Sequence, residues 1–181
     1  MTTNFETIIL RFRDLVTAEN ETIEKHMSVI SKQGYVWWAW WKKGNEKTPV
    51  DEFASLSIKV KSSAVNVFLV DSGQNLVYRA LCEGVELKNE EKIPSPEKDS
   101  TPEYYRDQEY YAWFKFTKIE RCKENDLKAF TYVDCKSLFY DENIDYSKFD
   151  NKKFILSPSL FSRIVLYGLY ARHKKLIVTM K

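Results

Sequence analysis

The sequence predicts an α+β protein built on a curved, largely antiparallel sheet or partly open barrel, flanked by about three helices. Helical periodicity is confined to segments near the two ends of the chain, whereas strand-like segments fill the middle. The two kinds of segment do not alternate regularly, as they would in a doubly wound fold. The length of 181 residues suits one substantial hydrophobic core. We therefore expect a single domain over residues 1–181.

The first third of the chain predicts two strands and two helices. Residues 7–14 (TIILRFRD) alternate side chains between two faces, which is typical of a strand. Apolar residues at helical spacing predict a helix over about 20–33, and Gly34 provides its stop signal. An aromatic strand follows this glycine. A threonine cap followed by proline then predicts a second helix over about 48–59.

The remainder of the chain predicts further strands and one late helix. Strands are predicted at residues 64–71, 76–87, 110–120, 129–134 and 176–180. The charged stretch over 88–103 contains three prolines and no periodicity, which predicts a mobile inserted loop. A serine cap followed by proline predicts a third helix from about Pro158 to Arg172.

Composition limits the classes of function. A net charge of +2 does not by itself indicate a nucleic-acid-binding protein, although a local basic strip is sufficient for one. Three widely spaced cysteines without a CxxC pair argue against a disulfide framework or a zinc site. We expect a cytoplasmic protein without metal or cofactor. The N-terminus lacks a signal-peptide pattern and no apolar run reaches membrane-spanning length, so we expect no membrane partner.

Familiar catalytic motifs are absent from the sequence. His26 and His173 are the two histidines; we expect His26 at the edge of the core or exposed, and His173 at the end of the last helix. Asp71 followed by Glu86-Leu87-Lys88 resembles the carboxylate and lysine pattern of metal-dependent nucleases. Such matches arise readily by chance in so charged a chain. We assign no catalytic residue, expect a non-enzymatic protein, and retain a nuclease as the less favoured alternative.

The most informative segment is GYVWWAWWKK at residues 34–43, which contains four of the five tryptophans. Alternation along a strand places Trp37 and Trp41 on one face. Trp38 and Trp40 share the other face, roughly 6.8 Å apart, close to the gap that holds a flat ring between two others. Two interpretations are open. The segment is the central strand of a core, buried on both faces, or one of its faces is core and the other is an aromatic binding slot.

Basic residues and further aromatic residues accompany this strand. Lysines follow it directly, arginines alternate on the first strand, and tyrosines with a tryptophan follow the charged stretch. Flat rings beside lysine and arginine can stack a base while neutralising a phosphate. We therefore predict a ligand-binding site formed by Trp37, Trp38, Trp40, Trp41, Lys42, Lys43, Arg11, Arg13 and Trp113.

The early helix, the aromatic strand and the later strand YYAWFKFTKIE resemble the PUA-like superfamily, the group that contains YTH and EVE domains. The resemblance covers roughly Tyr35–Asp134. It implies a domain that binds RNA or DNA, with a modified base held in an aromatic cage drawn from the four clustered tryptophans and Trp113. The chain also resembles N-terminal regions of multidomain bacterial proteins, including phosphoesterase-linked ones, which implies a sensor module with a C-terminal effector domain or partner protein.

Together these observations predict a non-enzymatic recognition module for nucleic acid or a nucleotide-like ligand. The alternative is a protein-interaction or regulatory sensor domain of a larger bacterial protein that uses the same aromatic surface, since Trp, Tyr and Arg also dominate protein hot spots.

Overall fold

The computed structural model describes residues 7–12, 21–42, 48, 50–71, 76–122, 134–137, 164–167 and 176–179. In chain order, the elements of these ranges are β1 (Thr7–Phe12), α1 (Glu21–Gln33), β2 (Val36–Trp40), α2 (Val50–Val60), β3 (Val65–Asp71), β4 (Leu76–Leu87), β5 (Ile93–Pro94), a 3-10 turn (Lys98–Ser100), β6 (Glu109–Tyr110), β7 (Ala112–Arg121), β8 (Asp134–Ser137), β9 (Ile164–Tyr167) and β10 (Leu176–Thr179).

The architecture is α+β, as the sequence predicts. Strands β2, β7, β4 and β3 follow one another in a four-stranded antiparallel sheet, and β5 and β6 form a small second sheet. Two helices accompany these sheets in the described part of the chain. The four-stranded sheet is not closed over the described residues, which favours the open sheet over the barrel among the predicted alternatives.

Two compact units divide the chain. The first consists of Met1–Thr3, Asp14–Asn66 and Ala80–Ile119, and the second of Asn4–Arg13, Val67–Arg79 and Glu120–Lys181. The single domain expected over residues 1–181 stays a prediction. All the side chains that form the candidate site below belong to the first unit.

The second unit combines parallel and antiparallel pairing. Strand β1 pairs in parallel with both β3 and β9, and β10 pairs antiparallel with β9 and β8. The helix predicted over Pro158–Arg172 is wrong where the structure describes it, because Ile164–Tyr167 is the strand β9. β-Branched Ile164 and Val165 suit an extended chain, and pairing with β1 provides the ladder hydrogen bonds. The rest of that predicted helix lies outside the described residues.

Helix α1 shows how sequence positions the first unit. Acidic residues in its first turn and a lysine in its last turn interact favourably with the helix dipole and so stabilise the helix. Gly34 ends the helix with φ of 83°, and its N–H donates to the carbonyl oxygen of Ile30 at 2.7 Å. His26, expected at the edge of the core or exposed, is buried, whereas its neighbour Met27 is 47% exposed. The nitrogens of His26 have hydrogen-bond partners, which makes its burial tolerable.

Helix α2 follows its predicted course. Phe53 and Leu56, three positions apart on this helix, are buried, and the Phe53 ring packs edge to face on Trp40 and Phe114.

The charged segment predicted as an inserted loop has local structure throughout. It contains an isolated bridge between Lys88 and Glu91, strand β5 and the 3-10 turn. Ser95 and Thr101 are buried within it, their hydroxyl oxygens 2.5 Å apart. Short hydroxyl side chains satisfy the backbone of such irregular segments locally. Its mobility stays a prediction. The strand predicted at 129–134 lies outside the described residues except for Asp134, which begins β8.

Candidate nucleic-acid interface

One face of β2 is part of the hydrophobic core. The Trp38 ring lies over the imidazole of His26, with centroids 4.3 Å apart. Trp40 contacts Phe53 edge to face at 5.1 Å. The two tryptophans are 3% and 1% exposed, and Val36 beside them is fully buried. Edge-to-face and tilted packing of this kind stabilises aromatic cores. On this face the core interpretation of the tryptophan strand describes the structure.

The opposite face of β2 is covered by residues 104–111, here called the tyrosine segment. Trp37 on β2 and Trp113 on β7 share this face as diagonal neighbours, since Trp113 pairs with Ala39, and they are 8% and 0% exposed. Two tyrosine rings pack against Trp113: the ring centroid of Tyr105 is 5.9 Å from that of Trp113, and the ring centroid of Tyr110 is 5.3 Å from it. The indole N–H of Trp113 donates to the carbonyl oxygen of Ile93 at 3.0 Å. Both faces of β2 therefore carry buried tryptophans, although β2 stands at the end of the strand order and not at its centre as the core interpretation expects.

Tyr105 binds the open edge of β2 to helix α1. Its hydroxyl lies 2.9 Å from the carbonyl oxygen of Trp37 and 2.5 Å from Nε2 of His26, and its single proton is donated to one of these two acceptors at a time. The imidazole Nδ1 lies 2.6 Å from the carbonyl oxygen of Thr22 and must carry a proton to bond with it. Burial lowers the pKa of His26 to about 4 and raises the pKa of Tyr105 well above its usual value. Both side chains are therefore uncharged at neutral pH.

Lysine ammonium groups lie over three tyrosine rings of the first unit. Nζ of Lys115 is 4.0 Å from the ring centroid of Tyr35, and Nζ of Lys25 is 5.4 Å from that of Tyr104. Nζ of Lys42 and Nζ of Lys92 are 4.2 Å and 5.6 Å from the ring centroid of Tyr111. The three tyrosines are half-buried. We call this set the tyrosine–lysine surface; its members are Tyr35, Tyr104, Tyr111, Lys25, Lys42, Lys92 and Lys115.

Two features hold Tyr35 and Lys115 in place. The hydroxyl of Tyr35 donates to the carboxylate of Glu97, and this bond raises the pKa of the tyrosine above its usual value. Gly84 on β4 faces the stem of Lys115. A Cβ at Gly84 would lie 3.2 Å from Cβ of Lys115 and 3.7 Å from the ring of Trp37. The absence of a side chain at this glycine therefore leaves room for both groups on the same face.

The predicted tryptophans occupy three environments. Trp38 and Trp40 are core residues against the helices, whereas Trp37 and Trp113 lie beneath the tyrosine segment. Trp41 is half-buried. The structure thus brings Trp37 and Trp113 together on one face and separates them from Trp38 and Trp40 on the other. Their role in binding stays a prediction.

The predicted basic residues are described only in part. Lys42 is 4% exposed, bonded to Glu90 at 2.5 Å, and part of the tyrosine–lysine surface. Lys43 and Arg13 lie outside the described residues, as does the side chain of Arg11. The site predicted from the sequence omits the tyrosines and three of the lysines of this surface. The signal for them was present in the sequence, because Lys115 alternates with Trp113 along one strand and the tyrosines cluster at 104–111.

The nuclease-like pattern stays a prediction, and its Asp71 and Glu86 belong to different units of the chain. No group of three or more His, Cys, Asp or Glu side chains in the described part of the chain could hold a metal ion. Asp71 is 2% exposed at the end of β3. Lys88 pairs with Glu91 at 2.5 Å on the exposed surface. Burial raises the pKa of the Cys82 thiol to about 12, which makes this cysteine a poor nucleophile.

None of the helices in the described ranges has the length and apolar character needed to cross a membrane.

Comparisons with known proteins point to one family. Comparisons with curated proteins and with solved structures gave no significant match. A sequence model of the family described as Pua-like matches residues 8–163, which is most of the chain. The protein therefore belongs to the Pua-like family.

Proposed function

We propose that this protein is a recognition module that binds single-stranded nucleic acid at the tyrosine–lysine surface. The observation that carries the proposal is the placement of four lysine ammonium groups within 5.6 Å of three half-buried tyrosine rings. Membership of the Pua-like family supports it, because PUA-like domains commonly bind RNA or nucleotides. A modified base, as in the resemblance to YTH and EVE domains, is the finer form of the proposal.

The chemistry of these pairs suits a nucleotide. A lysine over a tyrosine ring is attracted to the negative face of the ring. A base offers the same ring a larger flat partner, and base–aromatic stacking is worth about 1–3 kcal/mol per base. The displaced ammonium group remains within reach of the phosphate attached to that base. Each pair therefore contains both groups that a single nucleotide needs.

The burial of Trp38 and Trp40 moves the proposed stacking to the other face of β2. On that face Trp37 and Trp113 support the tyrosine segment from below, and half-buried Trp41 lies at the end of the strand. We assign the tryptophans a supporting role and the tyrosines the direct stacking. Rigid support of a stacking ring lowers the entropic cost of binding.

A protein-interaction surface is less well supported. Met27 and Ile58 are the exposed large hydrophobic side chains of the described residues, and they belong to different helices. Neither is part of the tyrosine–lysine surface. Protein interfaces tend to be depleted of lysine, whereas this surface contains four lysines.

Ring removal at Tyr35 tests the proposal. Tyr35→Phe keeps the ring and loses the hydroxyl bond to Glu97, whereas Tyr35→Leu removes the ring. Binding of a fluorescein-labelled twelve-nucleotide oligouridylate, and of the corresponding oligothymidylate, is measured by anisotropy. We expect Tyr35→Phe to retain the affinity of the natural protein and Tyr35→Leu to lose roughly fivefold or more. Equal binding by all three proteins would remove Tyr35 from the site.

A further inference from the structure

The carboxylate of Glu90 receives three hydrogen bonds from two neighbouring residues. Nζ of Lys42 donates to Oε2 at 2.5 Å. The backbone N–H of Thr48 donates to Oε1 at 2.8 Å, and the Thr48 hydroxyl donates to Oε2 at 3.1 Å. Burial raises the pKa of this carboxyl, but the bonds from Lys42 and Thr48 outweigh that effect and hold it below its usual value. Three donors of this kind form a ready site for an anion.

A tight turn presents Glu90 to these donors from outside the core. The N–H of Glu91 donates to the carbonyl oxygen of Lys88 at 2.9 Å, and Asn89 has φ of 43°. Asparagine is one of the few residues that tolerate this left-handed conformation. The Glu90 side chain is 51% exposed, whereas its partner Lys42 is 4% exposed. A change of rotamer can therefore withdraw Glu90 into solvent, away from the Lys42 and Thr48 donors.

An aromatic ring with two cations lies beside this donor set. The ring centroid of Tyr111 is 4.2 Å from Nζ of Lys42 and 5.6 Å from Nζ of Lys92. The other charged residues of the turn, Lys88 and Glu91, pair with each other at 2.5 Å. When Glu90 swings away, its negative charge no longer offsets the two ammonium groups beside the ring.

We propose that Lys42 and Thr48 form a phosphate-binding subsite that Glu90 occupies when no ligand is bound. The phosphate belongs to a nucleic-acid strand whose base stacks on Tyr111, so this inference rests on the proposed function. The two non-bridging oxygens of a phosphodiester accept the same three hydrogen bonds as a carboxylate. Glu90 is therefore a competitor built into the chain, and it lowers the affinity for any strand that cannot displace it.

Substitution of Glu90 tests the subsite, with its neighbour as the matched control. Glu90→Gln and Glu91→Gln each remove one negative charge from the same turn, but Glu91 pairs with exposed Lys88 instead of Lys42. We measure the anisotropy of labelled oligouridylate with both variants and with Glu90→Gln combined with Lys42→Met. We expect Glu90→Gln to bind roughly five- to tenfold more tightly than Glu91→Gln. The gain should vanish in the double variant.

A second probe separates this inference from the proposed function. Inorganic pyrophosphate is titrated into each variant while the amide resonance of Thr48 is followed by NMR. We expect that resonance to shift in Glu90→Gln at lower pyrophosphate concentrations than in Glu91→Gln. Such a shift without oligonucleotide binding by any variant would retain the subsite and overturn the proposed function. Equal oligonucleotide binding and equal shifts in the two variants would overturn the subsite and leave the proposed function standing. If circular dichroism shows that Glu90→Gln is unfolded, Glu90→Asp is used in its place, because its shorter side chain withdraws the carboxylate from the donors. The expected and contradicting results are then the same as for Glu90→Gln.

Discussion

The hydroxyl of Tyr105 lies 2.9 Å from the carbonyl oxygen of Trp37, on the edge of β2 that no other strand covers in the described sheet order. Exposed strand edges invite pairing with other chains, and proteins commonly cover them. Here one phenol covers the edge and also reaches His26 of α1. The same residue supports Trp113 from above. Tyr105 thus links the core, the strand edge and the proposed binding face.

We expect Tyr105→Phe to destabilise the protein by about 1–3 kcal/mol, because it removes the donor shared by two buried acceptors, the carbonyl oxygen of Trp37 and Nε2 of His26. Urea unfolding measures the change in the free energy of unfolding. Tyr110→Phe is the control, since its hydroxyl bonds to the exposed side chain of Gln108 at 3.0 Å. An equal loss of stability in both variants would contradict the proposed role of Tyr105.

The stability of the protein should depend on pH through His26. Its pKa is about 4 in the folded chain and about 6.5 in an unfolded one. The unfolded chain therefore binds more protons between these values, so the stabilisation is present above pH 6.5 and is lost as the pH falls towards 4. The loss amounts to at most about 3 kcal/mol.

His26→Gln provides the comparison for that pH dependence. Urea midpoints are measured from pH 7 to pH 4 for both proteins, and the variant retains His173, so the difference reports on His26. We expect the variant to show a shallower decline with falling pH. Parallel declines would mean that the pKa of His26 is not lowered in the folded protein.

The tryptophans should differ in their contribution to stability according to face and burial. Trp40→Ala removes a ring that is 1% exposed and packs edge to face on Phe53. We expect a loss of about 3–5 kcal/mol in the free energy of unfolding, or no folded protein. Trp41→Ala removes a half-buried ring and should cost less. Guanidinium unfolding of both variants measures the difference, and a folded Trp40→Ala protein with unchanged stability would revive the slot between Trp38 and Trp40.

Much of the fold follows from local sequence signals. Strand β4 has the bounds predicted for it, because turn residues precede it and alternation continues to its end. The third predicted helix failed at β9, where a serine–proline start and helical spacing gave the wrong answer. The conformation of that segment depends on a partner distant in sequence, since β9 pairs with β1 near the other end of the chain. Local propensity cannot anticipate such pairing.

The site was predictable in composition but not in detail. The sequence indicates aromatic rings beside lysines, and the structure has such pairs. The sequence alone does not indicate which rings are exposed, because both faces of β2 are apolar. The residues that cover Trp37 come from the distant segment 104–111. The partnership of Lys25 with Tyr104 likewise joins a helix to a distant segment. Only the folded chain brings these residues together.

The salt dependence of oligonucleotide binding tests the central claim most directly. Lys25→Ala combined with Lys115→Ala removes two charges from the tyrosine–lysine surface. Lys32→Ala combined with Lys61→Ala removes two exposed charges elsewhere. The affinity of each double variant for labelled oligouridylate is measured between about 50 and 200 mM salt. We expect the first variant to bind more weakly and its log–log slope to decrease by about 0.7 for each lost phosphate contact, with the second variant close to the natural protein. Identical slopes and affinities for the two double variants would contradict a nucleic-acid interface at this surface.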